Sequence, residues 1–199
     1  MSSPRSSSAR PQTHPFDDPH WLFELKHDGI RALAILRHGK VRFLSQTGYW
    51  LDGFPLLAAA VSRQLPVDEA ILDGEIASPD EMGRTVLSRL RHRPAEARYY
   101  AFDLVWLNGQ DTRAAPLLNR KERLRNLLLR PSGRVMFVEH LRQYGTVLHR
   151  IACRYDFPGI VAKRADIAYD LASMRSGWIE IRNPRYRPAS GRGGRQSWT

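Results

Sequence analysis

Apolar and polar residues alternate with period two in several stretches of this chain and recur at spacings of three and four in others. Trp21–Lys26 (WLFELK), Ile30–Ser45, Ala70–Ala77 (AILDGEIA), Ala97–Leu107 (ARYYAFDLVWL), Arg134–His140 (RVMFVEH), Gly159–Arg164 (GIVAKR) and Trp178–Asn183 (WIEIRN) carry the strand pattern, bounded by Gly, Pro and Asp. His38-Gly39-Lys40, inside the second stretch, predicts a hairpin turn. Phe54–Leu65, Thr85–His92, Arg120–Leu129 and Tyr144–Asp156 predict helices. Strands arrive in runs instead of alternating one for one with helices, which predicts an α+β fold of mainly antiparallel sheets flanked by helices. The Ser/Pro/Arg-rich lead (1–20) and the basic tail (188–199) lack either period and are expected to be disordered, leaving one domain over 21–187.

Charge narrows the partner class. The chain has 199 residues with 31 basic and 20 acidic side chains, a formal charge of +11, which favours a polyanion such as a nucleic-acid backbone. All the acidic residues lie between Asp17 and Glu180, so most of the basic surplus sits at the two ends. The single cysteine, Cys153, excludes an internal disulfide and a multi-cysteine zinc site and fits a reducing compartment. No apolar run reaches the roughly 18 residues of a membrane span, and the N-terminus lacks the apolar core of a secretory signal, so no membrane association is expected.

Arginine supplies nearly all the positive charge. Only Lys26, Lys40, Lys121 and Lys163 are lysines. An amine can shed its proton and attack an electrophile, whereas a guanidinium stays charged, so a lysine kept in so arginine-rich a chain is a candidate nucleophile. Lys26 stands in ELKHDGIR (Glu24–Arg31), where Asp28-Gly29 ends a strand with a turn that lets backbone approach a ligand closely.

ELKHDGIR resembles the K-x-D-G-x-R motif of the nucleotidyltransferases that include ATP-dependent DNA ligases, RNA ligases and capping enzymes. LDGE (Leu72–Glu75), YYAFDLVWLNGQD (Tyr99–Asp111), GIVAKR and WIEIRNPRY (Trp178–Tyr186) follow in that family's order. The run FDLVWLNGQDTRAAPLLNRKERL looks most like bacterial ATP-dependent DNA ligases. The resemblance implies an ATP-grasp-like nucleotidyltransferase fold and a lysyl-AMP intermediate on Lys26, formed from ATP with Mg²⁺ or Mn²⁺ for the sealing of nicked duplex DNA in repair or recombination. It also implies a monomer in the bacterial cytoplasm. Arg31 would meet ribose or phosphate, Glu24 the adenine edge, and Glu75 the ribose hydroxyls or the metal. Phe102 would stack on adenine, while Lys163, Arg175 and Arg182 would complete the nucleotide contacts.

Four departures from the family pattern bear on charge. Pro158 stands where the family has a metal-directed glutamate, Gln46 where an arginine is common, and Glu180 and Arg182 where two lysines face the α-phosphate. On a strand Trp178, Glu180 and Arg182 share one face and Ile179 and Ile181 the other, so the phosphate-side pair sums to zero charge. The fourth is the absence of a following OB-fold domain, so a separate protein is expected to supply the clamp over DNA. The alternative reading is a degenerate, non-catalytic ligase-like domain that binds nucleotide or nucleic acid.

Overall fold

The computed structural model describes residues 10–12, 14–129, 133–170 and 177–187. Ile30–Arg37 (β3) and Lys40–Ser45 (β4) form the expected hairpin. Its turn residues His38 (φ 45°) and Gly39 (φ 73°) are both left-handed, as a tight two-residue connection requires. Glu69–Ala77 (β5), Arg98–Leu107 (β6) and Gln110–Asp111 (β7) extend this pair into an antiparallel sheet ordered β4-β3-β5-β6-β7, and Val135–Phe137 (β8) adds in parallel beside β6.

A second sheet runs β1-β11-β10-β2-β9, built from Arg10–Gln12 (β1), Asp18–Leu25 (β2), His140–Gln143 (β9), Gly159–Arg164 (β10) and Trp178–Arg182 (β11). Pairing here is antiparallel except between β1 and β11. The α+β expectation is therefore met, with β-strands supplying most of the framework. No described helix is long and apolar enough to cross a membrane.

Helices cover the outer faces. Pro55–Gln64 (α1), opened by a proline whose missing N–H costs nothing in a first turn, and Leu117–Leu127 (α3) bury Leu57, Val61 and Leu124 with Leu36, Leu72, Tyr99 and Leu104 of the six-stranded sheet. The Tyr99 hydroxyl lies inside this layer and donates toward the Ala32 and Leu72 carbonyls, both at 2.8 Å. Leu87–His92 (α2) also contributes Leu90 to this layer. Gly145–Arg154 (α4) packs Leu148 and Ala152 on Phe23, Ile160 and Ile181 of the other sheet. The inner faces meet through Ala77, Tyr100, Phe102, Val138 and Trp178.

Several boundaries differ from the sequence reading. Strand β2 starts at Asp18, three residues ahead of the expected Trp21, and β1 lies inside the lead expected to be disordered. Arg134–His140, expected as one strand, divides between β8 in one sheet and the first residue of β9 in the other. Helix α3 begins at Leu117, directly after Pro116, because the buried Leu117 anchors its first turn.

Candidate active site

Period-two alternation sorts the strand residues between α4 and the space separating the sheets. On β2, Phe23 goes to α4 and Glu24 inward; on β10, Ala162 and Lys163 do the same; on β11, Ile179 and Ile181 pack toward α4 while Trp178 and Glu180 turn inward. The result is a cleft of about 290 Å³ lined by Glu24, Lys26, Arg31, Glu75, Phe102 and Lys163. Six expected site residues thus meet at one place. His27, Gly29, Gln46, Trp178 and Glu180 are among the other residues on its walls.

Two expected residues do not join them. Arg182 is 75 % exposed and does not line the cleft; its Nε donates to Glu180 Oε1 at 3.0 Å. The carboxylate two residues back on the same face captures the guanidinium at the rim. Arg175 lies outside the described residues.

The deep end is a buried charge cluster. Glu24, 2 % exposed, accepts from Lys121 Nζ at 2.5 Å through one oxygen and pairs with Lys163 Nζ at 2.6 Å through the other. Burial pushes this carboxyl up, but the two ammonium groups outweigh it and hold Glu24 below its ordinary range. Burial brings Lys163 down to about 8, against the opposing pull of Glu24. The Lys163 ammonium also lies 3.9 Å from the Phe102 ring centroid and 4.0 Å from that of Trp178, within cation–π range.

Lys121 was not singled out by sequence reasoning. The available signal was its spacing: Arg120 and Lys121 fall at i+3 and i+4 from Leu117, on the stripe that Leu124 completes, so they face inward on α3. Both are buried. Arg120 makes a two-pronged pair with Asp103 at 2.7 and 2.8 Å.

The outer end carries the candidate nucleophile. The Lys26 backbone N–H donates to Gly159 O at 3.0 Å, fixing the residue at the end of β2, and its Nζ lies 3.6 Å from Glu180 Oε2. The following turn is locked: Asp28 N–H donates to Thr85 Oγ1 at 2.8 Å, and Tyr186 donates to Asp28 Oδ2 at 3.1 Å. Gly29 is required because a Cβ there would stand 2.3 Å from Ile76 O. His27 stacks on Tyr100 with centroids 4.2 Å apart, and burial brings its imidazole down to about 4, so it is neutral near pH 7.

Across the β3–β5 ladder Arg31 stands opposite Glu75. Arg31 is committed to Asp73, at 3.1 and 2.7 Å, and Asp73 also accepts from Tyr169 at 2.9 Å. Burial pushes Glu75 up to about 7, moderated by Lys26 and Arg31. Among the described residues no group of three or more His, Cys, Asp or Glu side chains could hold a metal alone. A hard dication bound by one carboxylate, phosphate oxygens and water needs no such group, and Glu75 fits that mode.

Known proteins share this fold. The family model "ATP dependent DNA ligase domain" matches residues 5–182. The multifunctional non-homologous end joining protein LigD of Pseudomonas aeruginosa is 34 % identical over 170 residues, covering 81 % of this chain and 20 % of that protein. The SPbeta prophage-derived DNA ligase-like protein LigB of Bacillus subtilis is 27 % identical over 179 residues, 86 % of this chain and 64 % of that one. A solved structure of mycobacterial DNA ligase D complexed with ATP and MES superposes with a TM-score of 0.77 at 25 % identity, over 88 % of this chain and 60 % of that one. The chain spans about a fifth of the length of the curated LigD relatives it matches. With the family model covering nearly all the folded residues, the chain belongs to the ATP-dependent DNA ligase domain family.

Proposed function

We propose that the cleft binds ATP and that Lys26 forms a lysyl-AMP intermediate for sealing nicked DNA. The Lys26 amine, after losing a proton, attacks the α-phosphorus; an N–P bond forms, the P–O bond to the β-phosphate breaks, and pyrophosphate leaves. Phe102 offers a ring face to the base and Glu24 an acceptor to its edge, while Arg31 and Lys163 supply positive charge. Mg²⁺ or Mn²⁺, when bound, would neutralise developing phosphate charge. Glu75 would hold it, and Pro158 offers no ligand. A clamp over the duplex would come from another domain or protein, in the bacterial cytoplasm.

The observation that carries this reading is the convergence of Lys26, Arg31, Glu75, Phe102 and Lys163 on one cleft. Its test is incubation with α-labelled ATP and Mg²⁺ or Mn²⁺, followed by peptide mass analysis. The expected result is a gain of one AMP on Lys26, lost in Lys26→Ala; labelling elsewhere, or none, overturns it.

A second reading, nucleotide or nucleic-acid binding without transfer, is favoured by the Lys26–Glu180 pair and by Arg182 turned out to the rim. It predicts nucleotide binding with no label retained on the protein.

A further inference from the structure

Two carboxylates compete for the Arg31 guanidinium. Glu75 stands directly opposite it on the β3–β5 ladder, and Asp73, two residues back on β5, lies on the same face. The structure gives Arg31 to Asp73: Nε donates to Oδ1 at 3.1 Å and Nη2 to Oδ2 at 2.7 Å. A guanidinium has five N–H donors, so three remain for the cleft whose wall Arg31 helps to form. With Arg31 held by Asp73, the Glu75 carboxylate also stays available on that wall.

Asp73 keeps this hold because a third donor fixes it. The residue is 1 % exposed, and the Tyr169 hydroxyl donates to Oδ2 at 2.9 Å, the same oxygen that takes Arg31 Nη2. A carboxylate this deeply buried depends on its donors for both charge and orientation. Burial and the charge of Asp73 push the Tyr169 phenol well above its ordinary range, so the hydroxyl keeps the proton it donates. Tyr169 does this from outside the cleft, which it does not line. Its own N–H donates to Arg113 O at 2.7 Å, and its ring centroid lies 5.7 Å from the Arg120 guanidinium. Arg120 and the Leu117 N–H both donate to Ile167 O, at 3.0 Å each, so the segment after β10 is fastened to the start of α3. The hydroxyl is held by a framework independent of the cleft.

We propose that Tyr169 is the positioning residue for Arg31, acting through Asp73 to keep the guanidinium off Glu75 and its three free donors toward a bound phosphate or ribose. This rests on the cleft being a nucleotide site. Without the hydroxyl, Asp73 loses the donor that fixes its plane, and Arg31 divides between the two carboxylates. Both the cationic fork and Glu75 are then partly withdrawn from the ligand.

The test is calorimetric titration of the full chain, with Mg²⁺, using an ATP analogue whose α- and β-phosphates are bridged by carbon and which binds without transfer. Tyr169→Phe, Arg31→Lys and the double variant are compared with the wild type. Tyr99→Phe, which deletes a buried hydroxyl from the helix-covered layer of the same sheet, controls for lost stability. The expected result is binding at least fivefold weaker in Tyr169→Phe and unchanged in Tyr99→Phe. Arg31→Lys and the double variant should differ by no more than twofold, because lysine cannot form the fork that Tyr169 aligns. Wild-type affinity in folded Tyr169→Phe overturns the positioning role and leaves the nucleotide site standing. An equal loss in Tyr99→Phe, or a fivefold further loss in the double variant, also overturns it, since the effect then does not pass through Arg31. Should Tyr169→Phe not fold, Asp73→Asn cuts the same link at its other end, and wild-type affinity there overturns the proposal just as weakened affinity supports it. Failure of the wild type to bind the analogue overturns the reading of the cleft and the proposal with it.

Discussion

Replacing Glu180 by glutamine keeps the shape of the side chain and removes its charge from the neighbourhood of Lys26. The two charged groups are 3.6 Å apart, with Lys26 about a third exposed and Glu180 about a fifth. Coulomb attraction at that separation is worth about 4–5 kcal/mol at an effective dielectric near 20 and about 1 kcal/mol in bulk water. Exposure places the pair toward the weaker limit, about 1–2 kcal/mol. The Lys26 side chain is held by that amount against Glu180, in a geometry turned away from an incoming phosphate. Releasing it lowers the barrier to adenylation by a similar amount, an acceleration of about 5- to 30-fold. Removing an anion that repels the incoming triphosphate acts in the same direction. The assay is single-turnover formation of the AMP adduct, followed by intact-protein mass at saturating ATP and metal. Equal or slower adduct formation by Glu180→Gln, in a protein that melts like the wild type, would refute the idea that Glu180 restrains the nucleophile.

Glu75 predicts a pH effect of defined sign. Its carboxyl titrates at about 7 in the fold against an ordinary 4.5, so between those values the folded chain holds a proton that the unfolded chain has lost. Stability is then present below about 4.5 and lost as pH rises through 7, by about 3 kcal/mol before discounting partial exposure and about 2 after it. Urea unfolding at pH 5 to 8 should show this fall in the wild type relative to Glu75→Gln; parallel curves contradict it. Arg120→Met should cost about 3–5 kcal/mol, because it strands the buried Asp103 charge and bares the Ala115 and Ile167 carbonyls that the guanidinium satisfies. Adding Asp103→Asn should recover part of that loss in thermal melts, and a double variant no more stable than the single one would argue against it.

The hairpin at His38-Gly39 and the two faces of β11 were legible because each is a local matter of turn chemistry or strand period. The strand β9 was not. His140–Gln143 is polar and half-exposed, and only its hydrogen bonds to the β2 backbone make it a strand, an interaction across more than a hundred residues that no local pattern reports. Lys26, Glu75, Phe102 and Lys163, expected together from ordered motifs at strand ends, line one cleft. Lys121 was left without a role because four of the five residues in RKERL are charged and none marks a ligand; its burial depends on how α3 lies on β6, a tertiary fact. At Arg182 the structure adds a contact that strand period does not report. Strand alternation gave its face correctly but not the pull of Glu180, which holds it at the rim.

The cleft's two ends differ in how tightly their charges are held. At the deep end each charge has a short, buried partner, and the aromatic pair Phe102 and Trp178 flanks Lys163, so these side chains form a closed set of mutual constraints. Removing Glu24 strands two buried ammonium groups, and removing either lysine leaves the carboxylate half-paired, at a cost of several kcal/mol. At the outer end Lys26, Glu180 and Arg182 form a partly solvated chain whose links are individually worth about 1 kcal/mol. Such links change without threatening the fold. Substitutions at the outer end therefore leave the fold intact, whereas those at the deep end destabilise it. On these grounds Glu180 and Arg182 can be substituted with little effect on folding, whereas Glu24, Lys121 and Lys163 cannot.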